Sequence, residues 1–250
     1  MVQIALKMLG QPYVPNMTVD GSNSPAILKK LREVYASYGM GTTTGFDIPG
    51  EIPGIVPAAD KTNLSALLME SFGQFDTYTP LQLATYGLTL ANNGERLAPH
   101  IVDSIYETNS EGGMGDLVKN ITPKIMDKVN ITPDNMDVLH QGMSAVVHGE
   151  DYVNGQIGAT GYYMRQSQGA EVSISAKTGT AEVTYVAPDG TKVPVTVNNV
   201  VAFAPTENPQ ISIGVMVPQT TVKEGGVTSK IGQNITREIT NLYNSMYHFK

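Results

Sequence analysis

The sequence predicts an α+β fold in which helices cover an antiparallel sheet. Residues 171–182 alternate apolar and polar side chains, which is the two-residue period of a half-buried strand. Two further apolar runs, 197–204 and 211–218, flank a short segment bounded by prolines, which is typical of a hairpin. An amphipathic segment follows. We therefore expect three sequential antiparallel strands, with a helix from about 229 to 247 packed on one face.

The clearest helix signal upstream of these strands lies at residues 79–82. Thr79-Pro80-Leu81-Gln82 has the pattern of a capping box with proline at the first helical position. Gly94 follows as a natural stop, so we predict a helix from Pro80 to about Asn92. Its buried stripe is expected to consist of the apolar residues at helical spacing, which are Leu81, Ala84, Leu88 and Ala91.

Three other helices carry similar start and stop signals. Ser24-Pro25 and Thr132-Pro133 each combine an N-cap residue with proline, and they predict helices that end near Gly39 and Gly149. Ser229 is expected to cap the last helix. Its apolar side, which we expect to cover the sheet, consists of Ile231, Ile235, Ile239, Leu242 and Met246.

Composition limits the classes of function. The chain has 250 residues, a formal net charge of −7 and no cysteine. These values predict one domain and argue against a nucleic-acid partner, a thiolate metal site and a cysteine nucleophile. His140 and His148 are not joined by other ligands at metal-binding spacing, so we expect neither a metal site nor a cofactor. No run of about 18 apolar residues is present to span a membrane.

The candidate site lies inside the first predicted strand. Strand parity puts Thr178 and Thr180 on one face, and Lys177 and Gly179 on the other. Two hydroxyls, one ammonium and a glycine that permits close approach could hold a small carboxylate at a strand edge. The alternative is a solvated strand face without a ligand.

Wider context favours a ligand-binding role for this segment. Lys177-Thr178-Gly179 matches the third signature motif of penicillin-binding proteins and serine β-lactamases. Here the tripeptide lies in a predicted strand that precedes two more strands and a terminal helix. A second block combines Gly73-Gln74 with Thr-Pro-Leu-Gln-Leu-Ala, Ala-Asn-Asn-Gly and Pro-His. Over nearly all its length the chain resembles the C-terminal part of class B penicillin-binding proteins, of the penicillin-binding protein 2B type of Gram-positive cocci. Phe75 departs from the Gly-Gln-Gly of many members.

The resemblance implies a partial serine β-lactamase/transpeptidase-like fold and a peptidoglycan D,D-transpeptidase that is the target of β-lactams. By that resemblance, Lys177 is the cation of the site, and Thr178 and Thr180 donate hydroxyls to the substrate carboxylate. The backbone N–H of Thr180 would be one oxyanion donor, and Gly179 would allow close approach. The implied ligands are the D-Ala-D-Ala stem peptide and β-lactams.

Two other family signatures are absent from the sequence. No serine has lysine three residues later, and none has asparagine two residues later. The nucleophilic serine and its lysine base are therefore missing, so we expect residues 1–250 to be a C-terminal fragment of one transpeptidase domain that begins after both motifs. The uncapped first helix agrees with this expectation.

For the intact parent, the resemblance implies a position outside the cytoplasmic membrane, an N-terminal anchor that is absent here, and cell-wall synthesis or division proteins as partners. The alternative is a non-catalytic module that binds the cell wall or acts as a scaffold and keeps a transpeptidase-like fold without its nucleophile.

Overall fold

The structure is a computed structural model that describes residues 1–61, 63–149, 152–153, 156–220 and 230–249. Its α-helices are α1 (Val2–Met8), α2 (Ser24–Ser37), α3 (Leu64–Glu70), α4 (Pro80–Ala91), α5 (Pro133–His148) and α6 (Ile231–Tyr247). Its strands are β1 (Glu95–Ala98), β2 (Ser104–Thr108), β3 (Met114–Asn120), β4 (Lys124–Lys128), β5 (Tyr152–Val153), β6 (Gln156–Ile157), β7 (Ser175–Val186), β8 (Lys192–Ala204) and β9 (Ile211–Thr220).

Strands β7, β8 and β9 form the predicted antiparallel sheet, with β8 in the middle. The predicted first strand, 171–182, is shifted, because its start is tied to other elements. The carbonyl of Ser173 accepts from Thr206 N–H at 3.0 Å, and that of Ile174 accepts from the His148 ring at 3.1 Å. Downstream, pairing with β8 continues to Val186. The predicted order and direction of the strands are confirmed.

The sheet lies between α4 and α6. A Cβ added to Gly87 of α4 would lie 2.9 Å from a methyl of Val201, whereas one added to Gly232 of α6 would lie 3.2 Å from a methyl of Val200. Val200 and Val201 are neighbours on β8, so their side chains point to opposite faces. The two helices therefore cover opposite faces of the same sheet.

Helix α6 is packed on the sheet as expected, but through the other side of the helix. Gly232, Thr236 and Thr240 are buried, whereas the predicted apolar side is exposed. The small side chains let the helix backbone come close to the strands, which the isoleucines would prevent. The prediction that the apolar side covers the sheet is therefore wrong: Ile231, Ile235, Ile239, Leu242 and Met246 are 51%, 38%, 39%, 61% and 59% exposed. The predicted cap, Ser229, lies outside the described residues.

Helix α4 shows a similar difference from the prediction. Its capping box is present, because Thr79 Oγ1 accepts from Gln82 N–H and the Gln82 side chain accepts from Thr79 N–H. The predicted stripe is only partly buried. The buried positions are instead Gln82, Thr85, Gly87, Thr89 and Leu90.

Two further packing units complete the described fold. Leu90, Met136 and Met143 pack with Phe203 of β8 between α4 and α5. Helices α1, α2 and α3 share a separate cluster of Ala5, Ile27, Leu28, Ala66 and Leu67. Within the described ranges, none of the helices has the length and apolar character needed to cross a bilayer.

Candidate functional site

The four candidate residues Lys177, Thr178, Gly179 and Thr180 lie near the start of β7, at one edge of the sheet. Thr178 pairs with Val200 and Lys177 pairs with Val201 across the two strands. Directly paired residues share a face, so Thr178 lies on the α6 face of the sheet and Lys177 lies on the α4 face. Lys177 and Thr180 are exposed, and Thr178 is half-buried. Strand parity therefore separates the points where the Thr178 and Lys177 side chains leave the backbone, whereas Lys177 Nζ reaches back to the strand edge and donates to the Thr178 carbonyl.

A small polar pocket opens between β7 and the first turn of α6, and we call it the β7–α6 pocket. Its volume is about 120 Å³. Threonine hydroxyls and carboxamides dominate its lining, and none of the described residues that line it has a charged side chain. Such a lining can donate hydrogen bonds to an anionic or carbonyl oxygen. The residues are Thr160, Thr178, Gly179, Thr180, Asn198, Asn199, Val200, Gly232 and Gln233.

Gln233 of α6 holds the far wall of this pocket. Its Nε2 donates to the carbonyl of Thr160 at 2.9 Å, and its Oε1 accepts from Tyr163 N–H at 3.1 Å. The Thr178 hydroxyl donates to Thr160 Oγ1 at 3.0 Å. An incoming acceptor could therefore replace Thr160 Oγ1 as the partner of the Thr178 hydroxyl. The Thr160 hydroxyl could donate a hydrogen bond to the same acceptor.

The backbone of β7 offers its own donors at the free edge. The Thr178 carbonyl accepts from Lys177 Nζ, and the Thr180 carbonyl accepts from Gln74 Nε2. Both carbonyls therefore point away from the ladder between β7 and β8. In an antiparallel strand, the N–H and C=O of one residue point to the same side. The N–H groups of Thr178 and Thr180 therefore also point away from β8, toward the open edge.

A buried charged network supports the loop beside this edge. The side chain of Asp76 is fully buried and forms a bidentate ion pair with Arg32, in which Arg32 Nε donates to the carboxylate at 2.7 Å. Glu70 is also buried, and its carboxylate accepts from Asp76 N–H at 2.8 Å and from the Tyr78 hydroxyl at 3.1 Å. Burial raises the pKa of the Glu70 carboxyl, and these two hydrogen bonds partly oppose the rise. The network fixes residues 70–78 against α2.

The described residues contain neither an activated serine nor a metal cluster. Ser175, the serine closest in sequence to Lys177, is fully buried and donates to Thr206 Oγ1 at 3.0 Å. His140 and His148 each contact a backbone carbonyl, of Leu90 and Ile174 respectively. No group of three potential metal ligands occurs in the part of the chain that the structure describes.

Sequence reasoning did not find several residues of the site. Asn198 and Asn199 could have been found once the β7–β8 register was known, because they pair with Thr180 and Gly179. Thr160 and Gln233 carry no local signal, since their contact joins residues 73 positions apart. Gln74 belongs to the Gly73-Gln74 block of the sequence, but nothing local signals its contact with Thr180, which lies 106 positions away.

Comparisons with known proteins find relatives over nearly the whole chain. The profile of the penicillin-binding protein transpeptidase domain matches residues 1–241. Penicillin-binding protein 2B of Streptococcus pneumoniae (strain R6) is 47% identical over 248 residues, which are 99% of this chain and 34% of that protein. Penicillin-binding protein 2A of Bacillus subtilis (strain 168) is 32% identical over 211 residues, which are 82% of this chain and 28% of that protein.

The solved structure of penicillin-binding protein 2B from Streptococcus pneumoniae strain R6 superposes with a TM-score of 0.86 at 44% identity. The alignment covers 100% of this chain and 38% of that one. This chain thus spans about one third of the length of the relatives it matches. Because the family profile covers nearly the whole sequence and the fold superposes closely, the chain belongs to the penicillin-binding protein transpeptidase family.

Proposed function

We propose that residues 1–250 form the C-terminal part of the transpeptidase domain of a peptidoglycan D,D-transpeptidase. In the proposed reaction a serine outside these residues attacks the carbonyl carbon of the penultimate D-alanine. The peptide C–N bond breaks, the terminal D-alanine leaves with a proton, and an acyl-enzyme remains. An amine of a second stem peptide then takes the acyl group and releases the serine. A β-lactam opens its ring in the first step and stays attached.

The observation that carries this proposal is the arrangement of the β7 edge. The Thr180 N–H points to the open edge, where an oxyanion donor would be needed, and Thr178 turns its hydroxyl into the β7–α6 pocket. We assign the substrate carboxylate to that pocket, where hydroxyls, carboxamides and the N-terminus of α6 favour an anion. Lys177 supplies the cation that supports the serine of the Ser-x-Asn motif from the α4 face.

This assignment favours the enzyme over the scaffolding alternative. A module that only bound the cell wall would not need a backbone donor aligned beside a pocket for the carboxylate. The matched relatives carry the names of penicillin-binding proteins, which agrees with catalysis in the parent. The proposal extends to stem peptides and β-lactams as ligands, cell-wall synthesis or division proteins as partners, and the outer face of the cytoplasmic membrane as the location.

The test compares this chain with the longer protein that includes the Ser-x-x-Lys and Ser-x-Asn motifs. After incubation with a penicillin, mass spectrometry should show no adduct on the 250-residue chain and one drug mass on the longer protein. In the longer protein Lys177→Ala should slow acylation by at least about 100-fold, because an ammonium at the reacting groups is lost. Lys192→Ala removes a lysine at the distal end of β8 and serves as the matched control. An adduct on the short chain, or full activity of Lys177→Ala, would refute the proposal.

A further inference from the structure

Gln74 connects two parts of the chain that are 106 residues apart in sequence. Its side-chain Nε2 donates to the backbone carbonyl of Thr180 at 3.2 Å. Thr180 is the residue whose N–H is assigned to the oxyanion, and its carbonyl and N–H point to the same edge. A donor on that carbonyl therefore acts directly on the residue that bears the functional N–H.

The loop that carries Gln74 is held firmly enough to position a side chain. Gln74 N–H donates to the carbonyl of Met69 at 3.1 Å, which closes the turn after α3. Two residues later, Asp76 is fixed by its buried ion pair with Arg32 and by its N–H bond to Glu70. The Arg32 guanidinium also lies 5.9 Å from the ring centre of Phe75. Contacts on both sides of Gln74 thus hold its backbone.

The hydrogen bond from Gln74 also restrains the backbone at the edge of β7. On its other side Thr180 pairs with Asn198, but the ladder to β8 does not use the outward carbonyl. An edge strand without an outer neighbour can rotate its outward peptide groups more freely than a central strand can. A hydrogen bond to the outward carbonyl restrains ψ of Thr180 and so keeps the residue extended.

We propose that Gln74 is a positioning residue for the oxyanion edge: by holding the Thr180 carbonyl it keeps Thr180 extended, so that the Thr180 N–H, in the preceding peptide unit, stays aimed at the developing oxyanion. This inference rests on the proposed function, because it takes Thr180 N–H as an oxyanion donor. It assigns a specific role to the Gly73-Gln74-Phe75 turn, which would otherwise be a connection between α3 and α4. Gln74 need not touch the substrate.

The experiment uses the longer protein with its nucleophile and a fluorescent penicillin. Stopped-flow measurements separate the dissociation constant of the first complex from the rate constant of acylation. Gln74→Ala and Gln74→Met should slow acylation about tenfold, less than the hundredfold or more caused by removing an oxyanion donor, and should leave the dissociation constant within about twofold. Gln11→Ala is the matched control, since Gln11 Nε2 also donates to a backbone carbonyl, that of Asp20 at 2.8 Å, and not to β7.

A pH-dependent rescue distinguishes positioning from a general effect on folding. In Gln74→Glu the carboxylate has no proton to donate and repels the Thr180 carbonyl. Its protonated form can donate, and an ordinary glutamate has a pKa of about 4.3. The acylation rate of Gln74→Glu, divided by that of Gln74→Ala at the same pH, should therefore rise as the pH falls from about 7.5 to about 5.

Each outcome decides between the two proposals. If Lys177→Ala abolishes acylation but the Gln74 variants acylate at the wild-type rate, the inference about Gln74 is wrong and the proposed function stands. A change confined to the dissociation constant, or a flat pH ratio, would also overturn it. If Lys177→Ala itself acylates normally, the proposed function fails first. Should Gln74→Ala unfold, the folded Gln74→Met and Gln74→Glu variants carry the same comparison.

Discussion

Helices α4 and α6 pack on opposite faces of one sheet, and both approach it through the same residue types. Each puts a glycine against the strands, Gly87 and Gly232, and each buries threonines whose hydroxyls donate to the carbonyl one turn earlier. They differ in what covers the rest of the helix. Helix α4 is enclosed and has Leu90 at 2% exposure, whereas α6 leaves its isoleucine side open. Close approach of the backbones decides which side meets the sheet, and apolar periodicity does not.

The largest expected change in stability comes from making the same leucine-to-alanine substitution on both helices. Leu90→Ala removes a buried side chain and should lower the free energy of unfolding by about 3 kcal/mol through lost burial and a cavity. Leu242→Ala, at a residue 61% exposed, should cost less than about 0.5 kcal/mol. Urea denaturation followed by circular dichroism measures both. Equal losses for the two variants would show that the side of α6 that includes Leu242 is buried.

A second substitution tests how closely α4 approaches the sheet. A Cβ on Gly214 of β9 would lie 2.6 Å from both the Ala84 nitrogen and the Pro80 oxygen, which are helix backbone atoms that cannot rotate away. Gly214→Ala should therefore destabilise the chain by about 3 kcal/mol. Gly142→Ala on α5 is the control. Apart from the backbone of its own helix, its Cβ would meet no described atom within 4 Å, so the substitution should raise the free energy of unfolding by up to about 1 kcal/mol. Wild-type stability of Gly214→Ala would contradict the close packing.

The two interface glycines give a smaller, paired comparison. A Cβ on Gly87 would lie 2.5 Å from Ser212 Oγ, which donates to the Ala84 carbonyl and would have to move. Gly87→Ala should cost about 2 kcal/mol. For a Cβ on Gly232 the nearest described atom is a methyl of Val200 at 3.2 Å. The better helix propensity of alanine offsets that contact, so the effect of Gly232→Ala should stay within about 0.5 kcal/mol. Thermal melts of both variants decide whether the α4 interface is the tighter one.

The smallest effect is expected from the buried threonines. Thr89 and Thr240 are fully buried, and each hydroxyl donates to the carbonyl four residues earlier at 2.9 Å. Valine has the same shape, and the carbonyl keeps its helical hydrogen bond, so no buried group loses its last partner. Thr89→Val and Thr240→Val should each change the unfolding free energy by less than about 1 kcal/mol. A loss above about 2 kcal/mol in either variant would mean that its hydroxyl has a partner not seen here.

Local sequence signals predicted much of this fold, and long-range contacts limited the rest. The capping box at Thr79 and the strand alternation around Thr178 are local, and both predictions agree with the structure. The buried sides of α4 and α6 depend on which backbone can come closest to the sheet. Residue-by-residue hydrophobicity carries no information about that distance. Gln82 illustrates the limit: it is buried because its Nε2 donates to the carbonyls of Thr42 and Pro53, far away in the sequence.

In the candidate site too, local features could be predicted from the sequence and long-range contacts could not. Strand parity predicted that Thr178 and Thr180 lie on the face opposite Lys177, since parity is a property of the strand itself. It could not predict Thr160 or Gln233, which reach the pocket from two other segments. Nor could it show that Gln74 contacts the carbonyl of Thr180. The structure was needed for every contact that joins the strand to a different element.

The free edge of β7 bears on how the chain avoids self-association. A long edge strand is a template for pairing with another chain, and runaway pairing needs a continuous row of donors and acceptors. Here Lys177 and Gln74 already occupy the outward carbonyls of Thr178 and Thr180, while the N–H groups beside them stay turned to the same side. Such an edge can receive a short guest that brings its own acceptors. A second β-strand would find two of the acceptors at this end of β7 already hydrogen-bonded, which disfavours strand pairing there relative to binding of a short guest.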